Sequence, residues 1–142
     1  MGLPGAGKTT LAEKLVKKID AIWINADEVR RKYNDWDFSN EGRLRQANRM
    51  KSLANDALNQ KKHVVVDFVC PTPETRNDFN PDFLIWVDTI KKGRFEDTNK
   101  MFIPPSKFDF RVETKNADLW SDEIKKILKK LFFQVYCKFF PA

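Results

Sequence analysis

Apolar and polar residues recur with two different periods along the chain, and these periods predict its helices and strands. Between residues 9 and 18, apolar side chains lie three and four positions apart among charged ones, which is typical of an amphipathic helix. Residues 21–25 form a short run of β-branched and aromatic side chains, which indicates a strand that leads into a polar helix start at residues 27–31. Residues 41–60 return to the helical period. The same criteria predict strands at residues 64–70, 83–88 and 108–112 and a closing helix at residues 118–131.

This order of elements predicts the fold class. Strands that alternate with helices favour an α/β fold with a mainly parallel sheet. Right-handed crossovers between parallel strands place helices on both faces of the sheet, which gives three α/β/α layers. The 142 residues suit one compact domain, so we expect a single domain at residues 1–142.

The composition narrows the class of protein further. With 42% hydrophobic and 13% aromatic residues, the chain carries too much apolar material for an intrinsically disordered protein. Its longest apolar runs, such as residues 83–87, fall well short of the ~20 residues that a membrane span needs. The amino-terminal residues have no signal-peptide pattern. We therefore expect a soluble, cytoplasmic protein with no membrane partner.

The charged residues and the cysteines indicate what the protein could bind. A net charge of +6 suits an anionic partner such as a nucleotide, a sulfate ester or a nucleic acid, but charge alone does not choose among them. Cys70, Cys137 and the single His63 lack the spacing of a zinc site or a disulfide framework, so both cysteines are expected to be ordinary thiols.

The strongest motif lies at the start of the chain and has the pattern G-x-x-x-x-G-K-[ST] of a phosphate-binding loop. Its glycines let successive backbone N–H groups face phosphate oxygens at the positive end of the following helix. Lys8 is expected to reach the β- and γ-phosphates of ATP, and the Thr9 hydroxyl to bind Mg²⁺. The predicted ATP-binding residues are Gly2, Gly5, Ala6, Gly7, Lys8, Thr9 and Thr10.

A strand normally leads directly into such a loop, yet only Met1 precedes Gly2 in this sequence. Residues 132–140 form an apolar, strand-like run, so one interpretation is that they fill the central position of the sheet in a permutation-like arrangement. The alternatives are a shortened chain or a misassigned start codon, with residues 132–140 as an edge strand or an amphipathic tail.

Several short elements, taken in order, resemble the adenylylsulfate kinase family from Gly2 to about Leu131. They are the loop with Thr10, then Asn25-Ala26-Asp27-Glu28-Val29-Arg30, Asp37-Phe38-Ser39, Arg43, and Phe68-Val69-Cys70-Pro71. That family phosphorylates the ribose 3′-hydroxyl of adenylylsulfate with Mg-ATP. The resemblance implies the same fold and activity here.

The resemblance also implies roles for individual residues. Asp27 would orient the acceptor hydroxyl and Arg30 would pair with acceptor or phosphoryl charge, although both residue types are also common in helix capping and surface ion pairs. The family's Asp-Gly-Asp-x-x-Arg stretch has lost its first carboxylate here, where Asn25 stands. The remaining expected acceptor-site residues are Phe38, a stacking face for adenine or else a core aromatic, and Arg43, Gln46, Val69, Pro71 and Lys100.

Three further expectations concern neighbouring positions. Asp67 ends a strand where many phosphate-loop proteins hold Mg²⁺ through an aspartate, the alternative being a locally hydrogen-bonded strand residue. Arg49 lies on the same predicted helix as Arg43 and could also face substrate. The polar residues 94–105 are expected to form a lid from which Arg94 or Lys100 reaches the transferred phosphate.

The sequence thus favours an ATP- and Mg²⁺-dependent adenylylsulfate kinase whose partner is a small nucleotide. Two alternatives stay open: a kinase for another acceptor, such as a polynucleotide 5′-hydroxyl or a small metabolite, and a non-catalytic ATP-binding module. The family's later Asp-Pro-Lys-Gly-Leu-Tyr and Phe-Thr-Gly elements are altered or missing, which weakens the assignment of the acceptor. The oligomeric state is open, and a homodimer is one option.

Overall fold

The computed structural model describes residues 1–60 and 62–139, with side chains described as far as Phe132 in the last helix. The described residues form six helices and four strands. In chain order these are α1 (Lys8–Ile19), β1 (Ala21–Asn25), α2 (Ala26–Tyr33), α3 (Asn40–Asn59), β2 (His63–Asp67), α4 (Pro73–Phe79), β3 (Ile85–Val87), α5 (Glu96–Met101), β4 (Phe110–Val112) and α6 (Ala117–Phe139).

The strands form two parallel pairs. β1 pairs with β2, in a register that places Asn25 opposite Asp67 at the carboxyl ends of both strands. β3 pairs with β4, with Val87 opposite Val112. Parallel pairing with helical crossovers confirms the predicted class of sheet.

Met1 and Gly2 lie between the two strand pairs and connect them. The Met1 amine donates to the Ile85 carbonyl at 2.8 Å, and the Met1 carbonyl accepts from the Val87 N–H at 2.9 Å. On the other side, the Gly2 N–H donates to the Val69 carbonyl at 3.3 Å. The backbone that leads into the phosphate loop therefore bridges β3 and the end of β2.

Helices cover both faces of the strands, each over its own hydrophobic cluster. On one face, α1 and α6 bury Leu15 and Ile124 against Val87, with Val65 of β2 at the edge of the cluster. On the other face, α3 buries Met50 in a second cluster. Val64 and Val66, the residues of β2 on either side of Val65, contact this second cluster. Because β2 contributes alternate side chains to the two clusters, the protein has the predicted three-layer α/β/α fold.

The interpretation of residues 132–140 as a strand is wrong, because α6 continues through Phe139. Ile124, Leu128 and Phe132 recur at four-residue intervals, so the apolar run extends the helical stripe that precedes it. Phe140 lies outside the described residues. Although α6 has 23 residues, no helix within the described ranges combines the length and hydropathy of a membrane span.

The two short helices α4 and α5 were not predicted from the sequence, and the strands are shorter than expected. The strand predicted at residues 64–70 ends at Asp67, and Cys70 takes a left-handed conformation with a φ of 48°. Thr72 then caps α4 in a reciprocal arrangement with Thr75. The chain thus turns sharply after β2, and this turn forms one wall of the site described below.

Candidate functional site

The phosphate loop joins the bridge at Met1 to the start of α1. Gly5 and Gly7 have φ angles of 88° and 98°, a region that residues with a Cβ atom rarely occupy. A side chain at Gly2 would collide with the Val87 carbonyl. The loop is held against the sheet by the Thr89 hydroxyl, which donates to the Ala6 carbonyl at 2.6 Å. Glycine is therefore required where the backbone curls to present its N–H groups.

Lys8 begins α1 and folds back over the loop. Its Nζ donates to the Leu3 carbonyl at 3.0 Å. Burial lowers the pKa of Lys8, and the negative charges of Asp67 and Asp27 act in the opposite direction. A cation held in a partly desolvated loop is strongly attracted to an anion that enters it, so this placement fits a phosphate-binding lysine.

Thr9, Asp67 and Asn25 form a short chain of hydrogen bonds at the carboxyl ends of β1 and β2. The Thr9 Oγ1 donates to Asp67 Oδ2 at 2.9 Å, and the Asn25 Nδ2 donates to the same oxygen at 2.8 Å. Asp67 is only 5% exposed. Asn25 is also the N-cap of α2, where its Oδ1 accepts from the Glu28 N–H. Thr9 and Asn25 together fix the carboxylate of Asp67 beside the start of α1.

This arrangement fits a magnesium ion that arrives with ATP. Thr9 and Asp67 supply the hard hydroxyl and carboxylate oxygens that Mg²⁺ prefers. Within residues 1–60 and 62–139, no group of three or more His, Cys, Asp or Glu side chains forms a metal cage. A divalent cation here would take its other ligands from phosphates and water, as Mg²⁺ commonly does in kinases.

At Asn25, where the family pattern has a carboxylate, the structure places the carboxylate of Asp67 within hydrogen-bond distance, a relationship that the sequence analysis missed. Asn25 and Asp67 are partners in the register of β1 and β2, and their side chains are hydrogen-bonded. A buried carboxylate is therefore present one strand away from where the family pattern placed it. Only the pairing of two segments 42 residues apart reveals this, so no local sequence signal could have found it.

A cavity of about 340 Å³ opens between α2, α3, the turn after β2 and the end of α5. It brings together most of the acceptor-site residues that the sequence predicted, although these lie far apart in the chain. The predicted residues that line it are Asp27, Arg30, Phe38, Arg43, Gln46, Val69 and Pro71.

Two arginines flank the Phe38 ring at this cavity. The Arg30 guanidinium lies 4.4 Å from the ring centroid and the Arg43 guanidinium 5.6 Å from it. Arg30 is 5% exposed, its Nη1 donates to the carbonyls of Asp35 and Asp37, and burial lowers its pKa. Phe38 is half exposed, so it is not the core aromatic of the alternative interpretation. An aromatic ring next to two cations suits a flat, anionic ligand.

Arg43 also links α3 to α5 across the cavity. Its Nη2 donates to Asp97 Oδ2 at 2.6 Å and to the Thr98 hydroxyl at 3.3 Å, and its Nε donates to the Phe38 carbonyl at 2.9 Å. Its side chain is 15% exposed, whereas Asp97 is 63% exposed. The guanidinium is thus placed by protein contacts while one of its partners stays open to solvent.

Gln46 and Arg49 are placed differently from what their positions on one helix suggested. Gln46 lines the cavity, but its amide donates to the Ala26 carbonyl and accepts from Arg49. Its polar atoms therefore bind other protein groups, which connects α3 to the start of α2. Arg49 pairs with Asp35 at 3.1 Å and lies outside the cavity lining.

The segment after β3 contributes less to the cavity than expected. Lys100 is exposed and lies outside its lining, while its neighbour Met101 is part of it. Arg94 lies over the Phe95 ring at 4.9 Å.

Arg76 is a buried residue beside the site, outside the cavity lining, and the sequence analysis did not single it out. It donates to the Cys70 carbonyl at 2.9 Å and to the Ile103 carbonyl at 2.8 Å, which ties the turn after β2 to the chain after α5. Burial lowers the pKa of Arg76 and raises that of the Cys70 thiol.

Comparison with known structures identifies the same architecture. The chain is similar to an adenylylsulfate kinase from Mycobacterium tuberculosis, solved with AMPPNP and adenylylsulfate, with a TM-score of 0.77, 20% identity, and coverage of 91% of this chain and 94% of that one. A crystal structure named APE1195 gives a TM-score of 0.76 at 21% identity, covering 92% of both chains. Shikimate kinase from Acinetobacter baumannii, solved with shikimate, gives a TM-score of 0.58 at 20% identity, covering 91% of both chains.

These likenesses show that the chain has the P-loop kinase fold, as the resemblance to adenylylsulfate kinases implied. No curated protein matches the sequence. A family model described as an AAA domain matches residues 1–80, which is more than half of the 142 residues and includes the phosphate loop, Asn25 and Asp67. The chain therefore belongs to the AAA-domain family of phosphate-loop proteins.

Proposed function

We propose that the protein is an ATP-dependent kinase that transfers the γ-phosphoryl group to the 3′-hydroxyl of adenylylsulfate, with 3′-phosphoadenylylsulfate and ADP as products. The observation that carries this proposal is the cavity that holds Asp27, Arg30, Phe38 and Arg43 together. An aromatic face beside two guanidinium groups suits a purine ring and the anionic groups attached to it.

ATP would occupy the loop at residues 2–9. The backbone N–H groups of the loop and the N-terminus of α1 would bind its phosphates, with Lys8 on the β- and γ-phosphates. Mg²⁺ would be held by Thr9 and, directly or through water, by Asp67, and would neutralise charge on the phosphates. Asn25 would act on this site by holding Asp67 in place.

Adenylylsulfate would bind in the cavity. Phe38 would stack on the adenine, and Arg43 would bind acceptor charge while Val69 and Pro71 form the opposite wall. Arg30 would contribute positive charge and also support the loop that carries Phe38, because it is bonded to the carbonyls of Asp35 and Asp37.

In the transfer step, the acceptor 3′-oxygen forms a bond to the γ-phosphorus as the bond to the β,γ-bridging oxygen breaks. Asp27 lies in the first turn of α2, exposed at the cavity, with no competing ion pair among the described contacts. It would orient the hydroxyl and accept its proton. Most of the catalytic effect would come from positioning and from cations that stabilise the transferring group.

The experiment that tests this is a parallel assay of ADP and phosphorylated product. The purified chain is incubated with Mg-ATP and either adenylylsulfate, an oligonucleotide with a 5′-hydroxyl, shikimate or no acceptor. The proposal predicts product with adenylylsulfate. Product from another acceptor alone, or ATP binding without turnover with any of them, would contradict it.

Three variants separate catalysis from folding and from ATP binding. Asp27→Asn is expected to reduce turnover by about 100-fold or more while ATP affinity is kept, since general base catalysis typically contributes that much. Glu28→Gln is the matched control, because Glu28 is the next residue of α2, is also exposed and lies outside the cavity lining. Lys8→Ala is expected to abolish ATP binding.

One observation favours a related kinase with a different acceptor. The structural likeness extends to a shikimate kinase solved with shikimate, which is a small metabolite. A polynucleotide acceptor is distinguished by its response to salt, because contacts to several phosphates make affinity fall steeply as salt is raised. A small acceptor held by one or two arginines would show a much weaker dependence.

A further inference from the structure

Residues 34–38 cross from α2 to α3 and carry Phe38 to the candidate acceptor cavity. Within the described part of the chain, the backbone N–H groups of residues 36–39 make no hydrogen bond to another backbone group. Secondary structure therefore does not hold this loop in place. Because Phe38 is half exposed, burial in a core does not fix its ring either, so side-chain contacts of the loop determine where the ring lies.

Arg45 of α3 binds two carboxylates of the loop at once. Its Nε donates to Asp35 Oδ2 at 2.8 Å and its Nη2 donates to Asp35 Oδ1 at 3.0 Å, which is a bidentate pair. The same Nη2 donates to Asp37 Oδ2 at 3.1 Å. A guanidinium is planar and its N–H groups point in fixed directions, so these three bonds set the orientation of both carboxylates.

Arg49 reinforces this contact from the next turn of α3. Its Nη2 donates to Asp35 Oδ2 at 3.1 Å, and its guanidinium lies 4.2 Å from the centroid of the Tyr33 ring. Asp35 thus accepts N–H groups from two arginines, and these hydrogen bonds, first of all those from Arg45, hold the pKa of its carboxyl well below the usual range. An isolated surface ion pair contributes little, but a bidentate pair within a network has a defined geometry.

Gly42, in the first turn of α3, lets the loop lie directly on the helix. A Cβ atom at this position would collide with the carbonyl oxygen and the carboxyl group of Asp37. The Ser39 N–H donates to Asp37 Oδ1 at 2.9 Å, and the Ser39 Oγ accepts from the Gly42 N–H at 3.1 Å. The loop is therefore joined to the start of α3 by hydrogen bonds and by a close approach that leaves no space for a side chain.

We propose that Arg45, its partner Asp35, and Gly42 are positioning residues that fix residues 35–38 on α3, so that the Phe38 ring faces the candidate acceptor cavity before a ligand binds. None of the three lines the cavity, so they act on a ligand only through Phe38. A ring that is ordered in advance loses less conformational freedom on binding, which favours affinity. The inference rests on the proposed function for the identity of the ligand, adenylylsulfate, whereas the order of the loop is a property of the protein alone.

Arg45→Ala is the first test. Lys51→Ala is its matched control, because it removes an ion pair with Asp78 from the same helix and leaves the loop contacts in place. Without ligand, hydrogen exchange at the amides of residues 37 and 39 is expected to speed up by about 10-fold or more in Arg45→Ala, because the loop opens more easily. The Kd for adenylylsulfate is expected to rise by roughly 10-fold, with a smaller change in kcat and an unchanged Kd for ATP. Lys51→Ala is expected to change none of these.

The loss of a positive charge by itself weakens the binding of an anion, so Gly42→Ala is the second variant. It leaves every charge in place, and alanine favours a helix more than glycine does, yet its Cβ atom displaces Asp37 from α3. The same two changes are expected, namely faster exchange at residues 37 and 39 and a higher Kd for adenylylsulfate. The inference requires both changes in both variants. Either change alone, or an effect confined to Arg45→Ala, would overturn it.

A double-mutant cycle identifies the contact through which Arg45 acts. Because Arg45 and Asp35 share one contact, the variant with both Asp35→Ala and Arg45→Ala is expected to raise the Kd by less than the product of the two single effects. A combined effect equal to that product would overturn the role of the pair. Wild-type protein that did not bind adenylylsulfate would contradict the proposed function, whereas unchanged exchange in Arg45→Ala and Gly42→Ala would contradict this inference alone.

Discussion

The Thr9 hydroxyl donates to the buried carboxylate of Asp67 at 2.9 Å, which joins the first turn of α1 to the end of β2. These residues are 58 positions apart, and both belong to the candidate magnesium site. Asn25 holds the same carboxylate oxygen from the neighbouring strand. The contact therefore holds the two side chains that we propose for magnesium binding together at the end of the β1–β2 pair.

Asp67→Asn is expected to weaken magnesium binding while the fold is kept, because the amide replaces a charged ligand with a neutral one of the same shape. The magnesium concentration for half-maximal ADP formation should rise by about 10-fold or more. Asp56→Asn is the control, since Asp56 is exposed on α3 away from the site. An unchanged magnesium dependence in Asp67→Asn would exclude Asp67 from the metal site.

Arg43→Ala is expected to raise the KM for the acceptor by about 10-fold or more with a smaller change in kcat, since a charge-assisted hydrogen bond contributes about 1.5–3 kcal/mol. Lys92→Ala is the control, because Lys92 also forms an ion pair with α5, through Glu96 at 3.1 Å, but lies outside the cavity lining. Equal KM values for the two variants would show that Arg43 does not contact the acceptor.

Arg30→Lys keeps the charge but loses the planar group that lies over Phe38 and holds two backbone carbonyls. We expect a loss of roughly 1–2 kcal/mol in unfolding free energy, because a buried acceptor loses its donor, together with a higher acceptor KM. The exposed neighbour Arg31, replaced by lysine, is the control. Denaturant unfolding and acceptor titration would measure both effects, and equal values for the two variants would contradict this role.

The buried amine of Met1 gives the unfolding free energy a defined pH dependence. Its pKa is about 6 in the folded protein and 8.0 as the ordinary value, so the unfolded chain binds more protons between these two values. The unfolding free energy should therefore rise from pH 6 to pH 8, by roughly 3 kcal/mol at most. Denaturant unfolding at several pH values measures this rise.

Acetylation of the amine provides the control, because it removes this titration and leaves every side chain unchanged. If the acetylated and free chains had the same pH dependence between pH 6 and pH 8, the amine would not be buried as described.

The sequence predicted the parts of the site that depend on local motifs. Gly2, Lys8 and Thr9 stand at fixed spacings that phosphate binding requires, so their roles are visible without the fold. The bond between Asn25 and Asp67 was not predictable in this way, because it depends on the register between two separate strands. The hydrogen bonds from Arg30 to the carbonyls of Asp35 and Asp37 depend on how residues 35–37 turn, which no periodicity encodes.

The same distinction explains the error at residues 132–139. A short apolar run is compatible with a strand or with a buried helix, and periodicity alone does not separate them. Here Leu128 continues the stripe of α6 against the core, and the Phe132 ring lies 4.5 Å from the His63 ring of β2.

Hydrogen bonds on both sides of α5 bear on how a ligand could enter the candidate acceptor cavity. Gly93 and Asn99 exchange two hydrogen bonds on the amino-terminal side of this helix, and Arg76 holds the Ile103 carbonyl just beyond its other end. Because the segment is held at both ends, we expect a ligand to enter the cavity from the opposite rim, past the half-exposed ring of Phe38.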